Sequence, residues 1–225
     1  MKIYSYVIDH DLGFAPNPFF GYCTLACCKP QIRARAERGD FVLGTGSKSI
    51  GLQGRLCYWM QVEDTMSFDE YWADPRFQVK KPNRLGSRYQ QVGDNIYHRD
   101  APDKPYQQSP SVHSQADGTL HEAHHKRDTA TTDRVLISRT YVYWGANGIA
   151  IPAHLAGFIH DRPAHLCRFD DEAKSAMLSW LSTLPGHRLS GQPAAWAKLD
   201  AQKPARLSKG RTHRLETGRG TSASR

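Results

Sequence analysis

The segment between residues 74 and 133 most constrains the fold, because it has no extended apolar run and is dense in proline, glycine, asparagine, aspartate and histidine. A structureless connection of that length is uncommon inside a compact domain unless it carries function. The flanking sequence contains short runs rich in β-branched and aromatic residues, which are typical of strands. The sequence therefore predicts an α+β fold with a long irregular insertion that bears functional residues.

Turn and cap residues predict the regular elements around this insertion. Pro30 suits the first position of a short helix, and Ser67 with Glu70 three residues later forms the pattern of a capping box. An acidic start followed by one apolar stripe predicts the longest helix. The predicted strands are 2–9, 40–45 and 55–62, with a hairpin of 134–138 and 141–144, and the predicted helices are 31–38, 68–72 and 170–184.

The net charge of +8 is concentrated at one end of the chain. Residues 202–225 contain seven basic residues and one acid, so this segment carries +6 (7 − 1) and the rest about +2 (8 − 6). Since the segment also has little to bury, we expect a single domain over residues 1–200 and a disordered basic tail over 201–225. The tail either is a solubilising extension or attracts nucleic acid non-specifically.

The cysteines and the N-terminus predict a cytoplasmic protein without a membrane segment. Five cysteines form an odd number, and the first strand is followed by charge and shows no cleavage site for export. Cys23, Cys27 and Cys28 could offer thiolates to a metal or a redox site, and Lys29 could lower a thiol pKa. No second cysteine pair completes a zinc site, so we predict neither a metal nor a cofactor.

The run from His121 to His125 matches the pattern H-E-x-x-H of zinc peptidases. That chemistry requires a helix with a buried face, whereas glycine precedes this run, charged residues follow it, and no apolar stripe passes through it. We interpret it as a solvated histidine-rich loop.

Residues 94–100 combine a carboxylate, an amide, a phenol, an imidazole and a guanidinium around Ile96. On an extended segment Asp94 and His98 point to the same side, so they could form an acid–base pair. His113 and Asp128 are further candidates for acid–base groups. A polar loop held by its own hydrogen bonds is the alternative for this segment.

Two further patterns suggest contacts to a nucleotide. Ser47 and Lys48 follow a glycine-rich strand end that is not a Walker motif, and they could touch a phosphate. Basic residues interleaved with aromatic ones, beginning with Arg76 and Lys80, suit backbone contact with base stacking, although such a run is also typical of a solvated face. The complete set of predicted nucleotide-binding residues is Ser47, Lys48, Arg76, Lys80, Asn95, Tyr97 and Trp144.

Several linked motifs within residues 1–152 resemble a known family, nucleotide modification associated domain 2. They are Phe-Ala-Pro-Asn-Pro-Phe-Phe-Gly-Tyr (14–22), Thr-Leu-Ala-Cys-Cys-Lys-Pro (24–30), Gly-Asp-Phe-Val-Leu-Gly-Thr-Gly-Ser-Lys (39–48), Phe-Asp-Glu-Tyr-Trp-Ala-Asp-Pro-Arg-Phe (68–77), Gly-Asp-Asn-Ile-Tyr-His (93–98) and Asp-Arg-Val-Leu-Ile-Ser (133–138). The resemblance implies association with bacterial and phage systems that modify bases in DNA. It carries no settled reaction, and therefore no catalytic residue.

The order of short helix, glycine hairpin and return strand is also similar to domains of the PUA and EVE type. This second resemblance implies a small, partly closed β-barrel that holds a flipped or modified base among aromatic rings. The candidates for such rings are Trp59, Tyr71, Trp72, Tyr97 and Trp144. The alternative for each is a buried aromatic of the core, and for Trp59 and Trp72 we prefer that alternative.

Two functions follow as hypotheses. The first is a module that binds a nucleotide or modified DNA base and works with base-modification enzymes or in phage defence. The second is an enzyme that modifies or hydrolyses nucleotides or DNA bases, with Asp94, His98 and His113 as catalytic groups. Convergence of those residues in one pocket would favour the second.

Overall fold

The computed structural model of the protein describes residues 1–160, 162 and 164–196. This part of the chain is a mixed α+β structure, as the sequence predicts. The tail predicted over 201–225 lies outside the described residues, and the single domain over 1–200 stays a prediction.

The described residues form short strands and helices. The strands are β1 (Ile3–Ile8), β2 (Cys23–Leu25), β3 (Phe41–Gly46), β4 (Arg55–Gln61), β5 (Asp64–Met66), β6 (Tyr97–His98), β7 (Gln107–Gln108), β8 (Val135–Ser138), β9 (Tyr141–Tyr143), β10 (Ile149–Ala150), β11 (His165–Leu166) and β12 (Arg188–Leu189). The α-helices are α1 (Pro30–Arg35), α2 (Phe68–Ala73), α3 (Arg88–Gln91), α4 (Glu122–Thr129) and α5 (Asp171–Thr183). Pro75–Lys80, Gly145–Asn147 and Ala153–Phe158 are 3-10 turns.

The main sheet has the strand order β11-β1-β3-β4-β9-β12, and β10 also pairs with β4. β3 and β4 form the predicted glycine hairpin, with a bulge between Gly44 and Thr45. β1 lies parallel to β3, because the chain crosses over through β2 and α1. The edge strands β11 and β12 do not pair with each other among the described residues, so the predicted partly closed barrel is not confirmed.

The predicted hairpin of 134–138 and 141–144 is wrong. β8 lies between β2 and β5 in a second sheet, whereas β9 pairs with β4 in the main sheet. The backbone N–H of Thr140 donates to the Ser138 hydroxyl at 3.0 Å, and the backbone N–H of Arg139 donates to Glu63 at 2.7 Å. The tight turn therefore passes the chain from one sheet to the other instead of folding it back on itself.

Cap residues place the helices as predicted. Ser67 and Glu70 form both halves of the capping box of α2, and the Asp170 side chain caps α5. α1 begins at Pro30 but ends at Arg35, before the predicted end.

The insertion is packed rather than structureless. It contains α3, α4 and the pair β6–β7, and Phe77, Val92 and Ile96 are buried in a second core cluster beside α2. The first cluster lies between α1 and one face of the main sheet, where the hydroxyls of Tyr6 and Tyr58 are 2.9 Å apart. No helix in the described part of the chain is both long and apolar enough to cross a membrane.

Candidate functional site

Cys28 and Lys29 occupy an unusual backbone conformation directly before α1. Their φ angles are 59° and 41°, in the left-handed region that residues other than glycine rarely adopt. Such a residue costs about 1–3 kcal/mol and persists only where its surroundings hold it. Pro30 then begins α1. The Cys28 side chain lies half-buried in the wall of a cavity beside this turn.

Asp128 on α4 holds this turn in place. Its side chain is fully buried, and one oxygen accepts the Cys28 backbone N–H at 2.9 Å and Arg127 Nε at 2.9 Å. The other oxygen accepts the Tyr97 hydroxyl at 2.9 Å and lies 2.9 Å from His113 Nδ1. The Asp128 carboxylate therefore joins the turn at Cys28, Tyr97 of β6 and the His113 side chain to α4.

The tautomer of His113 follows from these contacts. An ionised carboxylate only accepts hydrogen bonds, so Nδ1 carries the proton towards Asp128 and Nε2 keeps a lone pair. Cys28 Sγ lies 3.5 Å from Nε2, and an Arg127 nitrogen lies 3.3 Å from the same atom. Phe14 packs edge-on against the ring, with centroids 4.4 Å apart. The imidazole is thus aimed at the thiol in the form that accepts its proton.

Burial and charge set the protonation states. Burial would raise the pKa of Asp128, but hydrogen bonds from His113 and Arg127 hold it well below its usual range. Burial lowers the pKa of His113 despite the opposing effect of Asp128. Burial, and then the charge of Asp128, raises the pKa of the Cys28 thiol to about 11. At neutral pH the thiol and imidazole are therefore both uncharged, and Asp128 is ionised.

The cavity beside Cys28 has a volume of about 410 Å³. It is bounded by the C-terminal end of β1, the start of α1, Arg127 of α4 and His165 of β11. Lys29 also lines it, with Nζ 4.5 Å from the centre of the Tyr6 ring. Its wall thus combines apolar side chains with cationic ones, in the size range of small-molecule sites.

Cys27, His113 and Asp128 could also hold a metal ion, because one ligand atom from each lies within 4.8 Å of the others. The local charge disfavours this. The Asp128 carboxylate already accepts five hydrogen bonds, two from the guanidinium of Arg127, and Arg33 donates to the Asp128 carbonyl. A cation would have to displace these donors beside two positive groups, so the donor set fits a hydrogen-bonded carboxylate better than a metal centre.

Of the residues predicted from sequence, His113 and Tyr97 meet at Asp128, and Asp128 was itself a candidate. Cys28, Lys29 and Arg127 complete the site. Cys28 and Lys29 appeared in the sequence as a weak thiol pattern, whereas Arg127 carried no pattern that distinguishes it from a solvated charge.

Asp94, Lys80 and Asn95 belong to a separate, fully buried network. Asp94 accepts the hydroxyls of Thr24 at 2.6 Å and Tyr71 at 2.8 Å. Lys80 Nζ donates to Thr24 Oγ1 at 3.0 Å and to Asn17, and Asn95 donates to two backbone carbonyls. Burial lowers the pKa of Lys80 to about 8. These contacts join the insertion to β2.

The other candidates are scattered. His98 stacks on Trp72 with centroids 4.0 Å apart, and no hydrogen bond joins it to Asp94 among the described residues. Ser47 bonds to Ser49, and Arg76 forms an ion pair with Asp74 at 2.7 Å. Trp144 is buried and donates to the Pro185 carbonyl, while Lys48 lines a small separate cavity. Their nucleotide-binding and catalytic roles stay predictions.

The predicted histidine-rich loop is wrong, because its residues form α4. The helix is polar on nearly all sides and buries only Asp128, so no apolar period indicates it. The two histidines of the zinc-peptidase pattern, His121 and His125, each have another hydrogen-bond partner. His121 caps the helix, and His125 Nε2 donates to the Tyr106 carbonyl at 2.7 Å.

Comparisons with known proteins give one match. The family described as nucleotide modification associated domain 2 matches residues 1–200. No curated protein and no solved structure matches the chain.

Proposed function

Since the chain belongs to the nucleotide modification associated domain 2 family, we propose that the cavity beside Cys28 binds a nucleotide or a modified DNA base within a base-modification system. The observation that carries this proposal is the presence of two cationic side chains, Lys29 and Arg127, on the wall of one cavity of nucleotide size. The predicted partners, base-modification enzymes of a bacterial or phage system, fit the same proposal.

Lys29 offers a charge for a phosphate. Among the described residues it forms no ion pair, and its Nζ reaches only the Val7 carbonyl at 3.4 Å and the Tyr6 ring. Burial lowers its pKa, so a bound anion would restore a favourable environment for the charged form. A phosphate oxygen is such an anion.

Arg127 offers a second donor. Its side chain is 39% exposed, and Asp128 engages Nε and one terminal nitrogen. The other terminal nitrogen makes no hydrogen bond within the described residues. Guanidinium groups bind phosphates and base edges through paired N–H groups, so Arg127 can bind a ligand while it remains fixed to Asp128.

The apolar part of the wall suits the base or sugar. Ile8, Ala15 and Ile32 line the cavity beside Pro30. His165 also lines it, from β11, the strand that pairs with β1. A binding pocket of the PUA type would use an aromatic cage instead. Here the proposed ligand lies between a helix start and a strand end, and the basic residues of 201–225 would add a non-specific contact to DNA.

Calorimetric titration of the full chain with nucleoside monophosphates, unmodified and base-modified, tests the proposal. Lys29→Gln should weaken binding about tenfold or more, because a charge-assisted hydrogen bond contributes about 1.5–3 kcal/mol. Lys48→Gln and Arg76→Gln are matched controls that remove cations elsewhere. Binding that falls in the controls but not in Lys29→Gln would move the site to the residues predicted from sequence. Absence of any binding would refute the proposal.

A further inference from the structure

We propose that Cys28 is a nucleophile that attacks a carbonyl carbon and forms a thioester, with His113 as its general base and acid and Asp128 as the group that orients His113. This inference rests on the proposed function in one respect, since it places the acyl group on a ligand of the same cavity. Its chemistry stands on the geometry of the three side chains.

The three groups form a continuous relay. The thiol sulfur is 3.5 Å from His113 Nε2, and His113 Nδ1 is 2.9 Å from Asp128 Oδ2. Hydrolases and transferases of unrelated folds share this arrangement, which consists of a nucleophile, a base within reach of it, and a third group that orients the base. Apo distances between nucleophile and base are often somewhat long.

The backbone presents the thiol to the cavity. The left-handed turn at Cys28 and Lys29 lifts the Cys28 side chain into the wall, and the buried Asp128 carboxylate and Arg33 hold the turn through the Cys28 N–H and carbonyl. The neighbouring Cys27 is fully buried, and its thiol faces the Asp94 carbonyl at 3.6 Å. Of the two adjacent thiols, only Cys28 lines the cavity.

The Cys28 S–H proton passes to His113 Nε2 while sulfur bonds to the carbonyl carbon. The resulting oxyanion forms within the cavity, whose wall contains the cationic side chains of Lys29 and Arg127. When the oxyanion collapses, the bond to the leaving group breaks, and His113 returns the proton to that group. Water or an amine then attacks the thioester carbonyl carbon and loses a proton to His113. The carbon–sulfur bond breaks, and His113 returns that proton to the Cys28 sulfur.

Proton placement suits substitution at a carbonyl carbon. In substitution the leaving group is attached to the attacked carbon, so the imidazole beside sulfur can reach it. The substrate class is therefore an ester, amide or thioester whose acyl part is attached to, or transferred to, a nucleotide.

The test uses the full chain and p-nitrophenyl acetate as the acyl donor. We expect a burst of nitrophenolate and one acetyl group on Cys28 by peptide mass spectrometry. Cys28→Ala should abolish the burst, and Cys167→Ser, which changes another partly exposed thiol, should leave it unchanged. His113→Gln should slow acylation about 100-fold or more, the lower range for general acid–base catalysis.

A pH profile separates catalysis from a structural role. Acylation should rise with pH through a pKa below the usual 6.5 of histidine and then level off, because neutral His113 is the base. It should also be slower in D2O, a readout that needs no variant to fold. Acetyl groups on lysines or Cys167 instead of Cys28, or equal rates in wild type and folded His113→Gln, would overturn the inference. So would a whole-nucleotide adduct on Cys28.

The two proposals fail separately. If nucleotides bind and Cys28 is not acylated, only the thioester inference is wrong. If Cys28 is acylated through His113 while no nucleotide binds or slows the reaction, the nucleotide-binding function is wrong and the chemistry stands.

Discussion

The Asp128 carboxylate accepts the backbone N–H of Cys28 at 2.9 Å, although 100 residues separate the two in sequence. The same carboxylate orients His113 through its other oxygen. A single buried charge on a polar helix thus fixes both the turn that carries the thiol and the ring that faces it.

Asp128→Asn should destabilise the fold. The amide has only one acceptor oxygen for the four donors around it, and it leaves Arg127 without its counter-charge. Removing one partner of a buried charged network costs about 3–5 kcal/mol, so the urea midpoint should fall markedly. The control is Asp103→Asn, whose carboxylate is 76% exposed and should be replaceable without measurable change. Equal midpoints for wild type and Asp128→Asn would mean that the network does not hold this turn.

Arg33→Met should destabilise the turn from the other side. The buried guanidinium donates to the carbonyls of Cys28 and Arg134, both at 2.9 Å, and to that of Asp128. Methionine fills similar space but leaves these acceptors unpaired, at about 1–3 kcal/mol each in desolvation. Hydrogen exchange should accelerate in α1 and α4. Exchange unchanged in both helices would contradict this role for Arg33.

Stability should fall as the pH drops below 6.5, in part through His113. Its pKa is lowered in the folded state, so between that pKa and its usual 6.5 the unfolded chain binds more protons and acid favours unfolding. One such group contributes at most about 1.4 kcal/mol per pH unit. Urea midpoints measured from pH 7 downward should fall less steeply in His113→Gln than in wild type. An unchanged slope would show that His113 is already protonated or does not titrate.

Asp94→Asn and His98→Gln test whether these two residues act together, as predicted from sequence, or separately. Asp94 accepts two buried hydroxyls near Lys80, so its substitution should cost about 3–5 kcal/mol. His98 is half-buried against Trp72, and its substitution should cost less than about 1 kcal/mol. We expect nucleotide binding by His98→Gln to equal that of wild type. Loss of binding in this folded variant would support the Asp94–His98 site predicted from sequence.

Gly44→Ala should destabilise the sheet beneath the cavity. An added Cβ would lie 2.3 Å from Tyr58 Cε1 and 2.5 Å from Ile8 Cδ1, so core side chains must shift, at about 1–3 kcal/mol. Gly157→Ala is the matched control, because a Cβ there meets no atom within 4 Å. Thermal unfolding should distinguish the two. Equal melting temperatures would mean that the core absorbs the methyl group.

Local sequence patterns predicted the elements whose ends are set by their own residues. Ser67 with Glu70, Pro30, and the acidic start of α5 each specify a helix end through neighbours a few residues away. The predicted hairpin at β8 and β9 failed because a short turn can join strands of different sheets, and strand period alone does not say which sheet each enters. α4 was missed because it buries a carboxylate instead of an apolar stripe.

The candidate site was only partly predictable. His113, Tyr97 and Asp128 were singled out by residue type, but their meeting point depends on contacts between residues distant in the chain. The left-handed conformation of Cys28 could not be inferred either, since no glycine marks the turn. Asp94 and His98 are close in sequence but do not lie on one strand, because β6 begins at Tyr97. Their side chains therefore have different surroundings.

The most direct test of the central claim is the rate at which iodoacetamide modifies Cys28 at alkaline pH, measured by peptide mass spectrometry on the full chain with and without millimolar nucleoside monophosphate. We predict that the nucleotide slows modification of Cys28 and leaves that of Cys167 unchanged, because the ligand occupies the cavity in front of Cys28. An unchanged rate at Cys28 would contradict the assignment of this cavity as the nucleotide site.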